Sequence, residues 1–186
     1  MRIGFAMCGS FCTFSKVFPI LELLTRDYQV IPILSPAAAG TDTRFGTARD
    51  HIQLMTELCG RRPMLTIPDA EPIGPQGLLD ALVIAPCTGN TLAKLSHGIA
   101  DTVVTMAAKS HLRNSRPVLL AISTNDGLSG AAENIGRLLN RKHIYFVPFG
   151  QDDPAGKPNS LVADLSQLPD ALAAALQNRQ LQPTLL

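Results

Sequence analysis

The residues best placed to do chemistry in this chain of 186 residues lie in Pro86-Cys87-Thr88-Gly89-Asn90-Thr91. Hydroxyls, an amide and a glycine share one short turn. Before it stands the apolar run Leu82-Val83-Ile84-Ala85, which reads as a buried parallel strand. After it a helical pattern opens at about Thr91. Gly89 lets a ligand come close to the backbone. Thr88, Asn90 and Thr91 can cap the helix or bond a ligand. A turn that exposes N–H groups ahead of a helix N-terminus is a natural seat for an anion or cofactor. Taken alone, the same stretch reads equally as a plain N-capped loop. Pro86 has no N–H to donate and is expected to end the strand's ladder.

Three more polar turns follow strand-like runs. Gly9, Ser10 and Phe11 come after the first run, and Gly9-Ser10 looks like a phosphate-cradling loop. Neither G-x-G-x-x-G nor G-x-x-x-x-G-K-[ST] is present, so Gly9 can equally serve the turn alone. Ser35 ends the second run. Thr124 and Asn125 follow the run ending at Ile122. Arg44, Lys109 and Arg113 are the cations available to an anionic substrate, and Arg44 and Lys109 read as well as solvated surface side chains. His51 borders an apolar stripe and reads as a surface or capping residue. Cys8, Cys12, Cys59 and Cys87 lack CxxC spacing, and reduced thiols are expected. With no CxxC and no HExxH, no metal site is expected.

Alternating elements must position these turns. Strands are expected at Ile3–Met7, Gln29–Leu34, Arg62–Ile67, Leu82–Ala85, Pro117–Ile122 and Ile144–Val147. Pro32 puts the second at an edge or an irregular position. Helices are expected at about 13–26, 46–59, 91–97, 101–113, 131–140 and 168–177, with Asp101 capping the fourth. Met106-Ala107-Ala108 suits close packing on a neighbouring helix or subunit. The stretches 37–45, 68–77 and 148–160 read as loops. Alternation of this kind predicts an α/β three-layer fold, a central parallel sheet with helices on both faces. Such sheets bind ligands at the carboxyl ends of their strands, where all four polar turns would gather. The expected organisation is a single domain over 1–186, with 148–186 a C-terminal loop and helix extension.

Composition narrows the function classes. The hydrophobic fraction is 46%, the charged fraction 17% and the formal net charge +1. That is a globular chain with no electrostatic case for nucleic acid or an anionic membrane. A cytoplasmic location is expected, with no membrane span.

The run Pro86-Cys87-Thr88-Gly89-Asn90-Thr91-Leu92-Ala93-Lys94-Leu95, followed by His97-Gly98-Ile99-Ala100-Asp101, resembles the flavin-binding segment of the flavoprotein superfamily. That superfamily holds flavin-containing cysteine decarboxylases and flavin prenyltransferases. Gly9-Ser10 matches its phosphate loop. Thr43-Arg44-Phe45-Gly46, Ser123-Thr124-Asn125-Asp126, Phe149-Gly150-Gln151-Asp152-Asp153-Pro154 and Lys157-Pro158-Asn159-Ser160 carry the likeness along the whole chain. The resemblance implies a Rossmann-like, flavodoxin-type fold and FMN as cofactor, with its phosphate near Gly9 and Ser10. Further contacts would come from Phe11, Ser35, Pro86, Thr88, Gly89, Asn90, Thr91, Thr124 and Asn125. It implies a homo-oligomer, trimer or dodecamer. It also implies work beside a separate nicotinamide-carrying subunit, oxidising a small dihydrodipicolinate-type dicarboxylate during sporulation. A non-catalytic partner that positions that other chain is the second reading. The decarboxylases' catalytic histidine is absent here, Pro72 standing at its position, and P-x-M-N is replaced by Ile122-Ser123-Thr124-Asn125. An independent decarboxylase or prenyltransferase is therefore the weakest reading, and no catalytic base is identified.

Overall fold

The computed structural model describes residues 1–186. Strand β1 (Arg2–Met7) is buried from Ile3 onward and leads through a 3-10 turn at Phe11–Thr13 into helix α1 (Phe14–Asp27). Helix α1 turns Phe14, Val17, Leu21 and Leu24 inward, the spacing of one helical face. Strand β2 (Gln29–Leu34) follows, then the short helix α2 (Pro36–Gly40) and helix α3 (Ala48–Cys59). Helix α4 (Ile67–Ala70) precedes β3 (Ala81–Cys87), every residue of which is buried. Helices α5 (Gly89–His97) and α6 (Val103–Leu112) lead to β4 (Val118–Thr124). Helix α7 (Ala132–Leu139), β5 (Ile144–Phe146), β6 (Phe149–Gly150), β7 (Leu161–Ala163) and α8 (Leu168–Leu176) complete the chain.

Strands β1 to β5 are parallel neighbours in the order β2-β1-β3-β4-β5. Their continuous apolar runs reflect burial on both faces. Helices α1 and α8 pack together on one face, and α5, α6 and α7 form the layer on the other. This is the flavodoxin-like order, in which chain direction across the sheet reverses between β1 and β3. A crevice opens there, beyond the strands' carboxyl ends. The α/β three-layer class read from the sequence holds, and β2 is the edge strand that Pro32 implied.

The structure corrects several local expectations. Residues 62–67 form no strand. Met64 alone bridges to Ile33, because Pro63 offers no N–H and Thr66 already caps α4 in a reciprocal box with Asp69. Ser35 caps α2 inside the stretch expected to be loop, accepting from the Ala38 N–H. Strand β3 does not stop at Pro86. The register shifts between Ile84 and Cys87, and Cys87 pairs again with Ile122 beyond a bulge that absorbs the missing donor. Asp101 is not the cap of α6. Thr102 is, while Asp101 pairs with Lys94 at 2.8 Å. Ala107 and Ala108 are fully buried, and α6 packs on the neighbouring helices α4 and α5, the helix-packing alternative of the expectation. The stretch 148–160 contains β6, and β6 and β7 are antiparallel, so the sheet is mixed. A tight turn makes that reversal possible. Asp153 accepts from the N–H of Lys157 at 2.7 Å and, through Oδ1, from that of Gly156 at 2.9 Å.

Candidate functional site

The site begins where β1 and β3 end. The Cys8 N–H donates to the Pro86 carbonyl at 3.2 Å, holding the two strand ends together across the switch point. The chain then turns through Gly9 and Ser10. A Cβ on Gly9 would lie 3.2 Å from the Cβ of Ala37 in α2, so this turn tolerates no larger residue without displacement. Ser10 reaches across the crevice, its Oγ 2.8 Å from the Oγ of Ser123 at the end of β4. That contact spans β3, which lies between β1 and β4. It brings the first and fourth polar turns into one cluster.

Helix α5 opens in the same place. Thr88 is its N-cap and accepts from the Thr91 N–H at 3.4 Å. The Thr91 hydroxyl, 3.2 Å from that of Thr88, donates to the buried Cys8 sulfur at 3.3 Å. The N–H groups of Gly89 and Asn90 donate to no group of the chain, which leaves open donors pointing from the first turn. Thr88→Ala should cost about 1 kcal/mol of stability by losing this cap. Chemical denaturation of the variant beside the parent measures it.

Gly89 is hemmed in on its other side. A Cβ there would come within 2.7 Å of Thr124 Oγ1 and 2.9 Å of Asp126 Oδ1. The Thr124 hydroxyl donates to Asp126 Oδ1. The fourth turn is therefore packed directly on the first turn of α5. Gly9, Ser10, Thr88, Gly89, Asn90, Thr91 and Thr124 meet at one edge, with Ser35 alongside. The Ser35 N–H donates to the Met7 carbonyl at 3.0 Å, placing it next to the end of β1. Asn90 and Asn125 are exposed at this edge, while Pro86 is buried within β3. Phe11 is half-buried and faces back into the fold, 5.3 Å from the Phe14 ring.

The candidate cations divide. Arg44 sits on a turn closed by mutual hydrogen bonds between Thr43 and Gly46, its guanidinium 4.8 Å above the exposed Phe45 ring. That turn rests on His51, which in turn packs on Phe11 and Phe14, so Arg44 stays near the edge. Lys109 and Arg113 lie in the last turn of α6 and just after it. The Arg113 Cδ lies 3.1 Å from where a Gly74 Cβ would stand, and His111 meets Pro117, the residue before β4. Both cations therefore sit at the amino ends of the strands, about 20 Å along the sheet from the crevice. With Leu95, Leu112 and Arg141 they line a separate cavity of about 340 Å³.

Two residues surprise. His51 is not a surface residue: it is 4% exposed, because α3 turns Ala48, His51 and Met55 inward together. Asp126 lies against the site as part of the polar turn after β4, although it was not among the candidate binding residues. The Ser123-Thr124-Asn125-Asp126 cluster was the signal available. The thiols are poor nucleophiles here. Burial pushes Cys8 up to about 11, and it raises Cys87 well above the ordinary thiol range, so both stay protonated near neutrality. No group of three or more histidine, cysteine or acidic side chains is arranged to hold a metal ion.

These features define a polar crevice at the carboxyl edge of an α/β sheet, and the chain belongs to the Flavoprotein family, whose model matches residues 1–165. It is 46% identical to the B subunit of dipicolinate synthase from Bacillus subtilis (strain 168) over 186 residues, covering 100% of this chain and 93% of that relative. The crystal structure of the dipicolinate synthase B subunit from Bacillus halodurans C superposes with a TM-score of 0.91 at 42% identity, covering 100% of this chain and 95% of that one. The FMN-dependent cysteine decarboxylase SpaF shares the fold, with a TM-score of 0.67 at 21% identity over 96% of this chain and 97% of its own. No helix is long and apolar enough to cross a membrane.

Proposed function

We propose that this chain binds FMN at the carboxyl ends of β1 and β3 and acts as the B-type subunit of a dipicolinate synthase. It would work beside the enzyme's A-type subunit, which carries the nicotinamide cofactor. Together they would oxidise a dihydrodipicolinate-type precursor to dipicolinate in the mother-cell cytoplasm of a spore former. The observation that carries this reading is the 46% identity to a B-type relative along the whole chain.

The residues at the edge fit the cofactor. Gly9 leaves room against Ala37, and the hydroxyls of Ser10 and Ser123 bridge the crevice. The unused N–H groups of Gly89 and Asn90 supply donors. In this reading Gly9 and Ser10 receive the phosphate, with Ser35 beside them. Thr88, Asn90 and Thr91 hold the remainder, and Thr124 and Asn125 close the far wall. Bound FMN would supply a hydride acceptor for aromatising the ring. Arg44, on the turn that rests on His51, is the cation proposed to meet a substrate carboxylate. Lys109 and Arg113, at the other end of the sheet, do not serve the same crevice. A homo-oligomer, trimer or dodecamer, belongs to the same proposal.

Arg44→Ala should lower dipicolinate formation about tenfold while changing FMN affinity less than twofold, the loss of one charge-assisted contact. Steady-state assays with the A-type partner and a fluorescence titration separate the two quantities. Equal loss of both, or no loss, removes Arg44 from substrate binding.

A second reading has its own support. No histidine stands in the crevice, and its two buried thiols, Cys8 and Cys87, are protonated. His97 is exposed near Arg137 at the end of α5. A chain with so few proton-transfer groups also suits a non-catalytic role, positioning its A-type partner. Titrating the purified chain with FMN tests the proposal. Saturable binding with a shifted visible spectrum is expected, and a folded protein that binds no flavin would support the positioning role instead.

A further inference from the structure

Asp126 brings a negative charge to the place where a helix N-terminus would otherwise receive an anion. Its Oδ1 lies 2.9 Å from where a Cβ of Gly89 would stand, at the first position of α5. Oδ1 accepts from Thr124, and Oδ2 lies 3.2 Å from the corresponding position on Gly130. Glycine at 89 allows this approach, since any side chain there would meet the carboxylate and the Thr124 hydroxyl. The turn carrying Asp126 is also braced, because the Asp126 carbonyl accepts from the N–H groups of Ser129 and Ala131, each at 3.0 Å. No basic side chain pairs with the carboxylate. The exposed carboxylate stands beside Gly89, at the opening turn of α5.

We propose that Asp126 is a charge filter in the crevice. The positive end of α5 and its unused N–H groups would attract a phosphate dianion. A carboxylate fixed against the same turn complements that end and repels a second anion within a few ångströms. Phosphate is thereby directed to the Gly9-Ser10 turn, and α5 is left to the neutral, hydrogen-bonding part of the ligand. Asp126 thus sets which way round the ligand lies. This inference rests on the flavin reading of the site.

The test compares FMN with riboflavin, which lacks the phosphate, on the parent chain, Asp126→Asn and Asp126→Ala. Asparagine keeps the shape of the side chain and removes its charge. Both variants should favour the phosphorylated ligand more strongly, raising the ratio of riboflavin Kd to FMN Kd about fivefold over the parent. A merely structural role would weaken both ligands together and leave the ratio unchanged. An unchanged or lowered ratio, with the parent binding FMN normally, would overturn the filter and leave the flavin reading standing. A parent chain that binds neither ligand would overturn both.

Discussion

Gly9→Val is expected to weaken FMN binding by about a hundredfold or more while the protein remains folded. The turn after β1 is pinned on both sides. The Cys8 N–H bonds to Pro86, and the Ser10 N–H donates to the Cys8 carbonyl at 2.9 Å. The Cβ of valine would stand 3.2 Å from Ala37 and 3.5 Å from the Phe11 ring, and its two methyl groups extend further. Either α2 shifts, or the turn tilts into the space proposed for the phosphate. Both outcomes remove the close backbone approach that glycine provides. The core strands are untouched, since Gly9 lies beyond the end of β1. Flavin fluorescence titration with circular dichroism reads affinity and fold together. Unchanged FMN affinity in the variant would remove the Gly9-Ser10 turn from the cofactor site.

Acidification should destabilise the fold through His111 by about 3 kcal/mol between pH 6.5 and pH 4. This side chain is fully buried on α6. Its Nε2 lies 3.1 Å from the Pro117 carbonyl, so the neutral ring donates there, while Nδ1 is buried without a partner. Burial, reinforced by the positive charge of Arg116, pushes the imidazole down to about 4 against the opposing pull of the Pro117 carbonyl and Asp80. In the unfolded chain the ring takes up its proton near pH 6.5. Below that pH the unfolded state binds more protons than the native one, so stability falls as pH falls, and the loss is complete below about 4. His111→Gln retains a donor for Pro117 and removes the titration. Urea melts at pH 7 and pH 4.5 should show a smaller difference for the variant than for the parent. An equal difference would mean that other groups carry the acid sensitivity.

The sheet was legible from the sequence because its strands are buried on both faces. Runs such as Leu82-Val83-Ile84 and Val118-Leu119-Leu120-Ala121-Ile122 admit few other readings. The crevice followed from it, since Gly9-Ser10, Ser35, Thr88 to Thr91 and Ser123 to Asn125 all stand at carboxyl ends of strands. What escaped depended on long-range packing. Strands β6 and β7 have two and three residues, too short for a period to register, and exist because a turn folds β7 back onto β4. His51 looked polar and peripheral, yet the aromatic rings of Phe11, Phe14 and Phe18 enclose it. Lys109 and Arg113 looked available to the substrate, because a sequence does not show which end of the sheet a helix C-terminus reaches. Asp126 was visible as a turn residue, but its place against α5 depends on Gly89, 37 positions earlier in the chain.

The most direct test of the proposed function is dipicolinate formation by the purified A-type partner, measured in isolation and again with this chain and FMN added. The proposal predicts little product from the isolated partner and restoration of turnover when the FMN-loaded chain is supplied. Full activity of the partner without this chain would contradict a catalytic role for the flavin crevice.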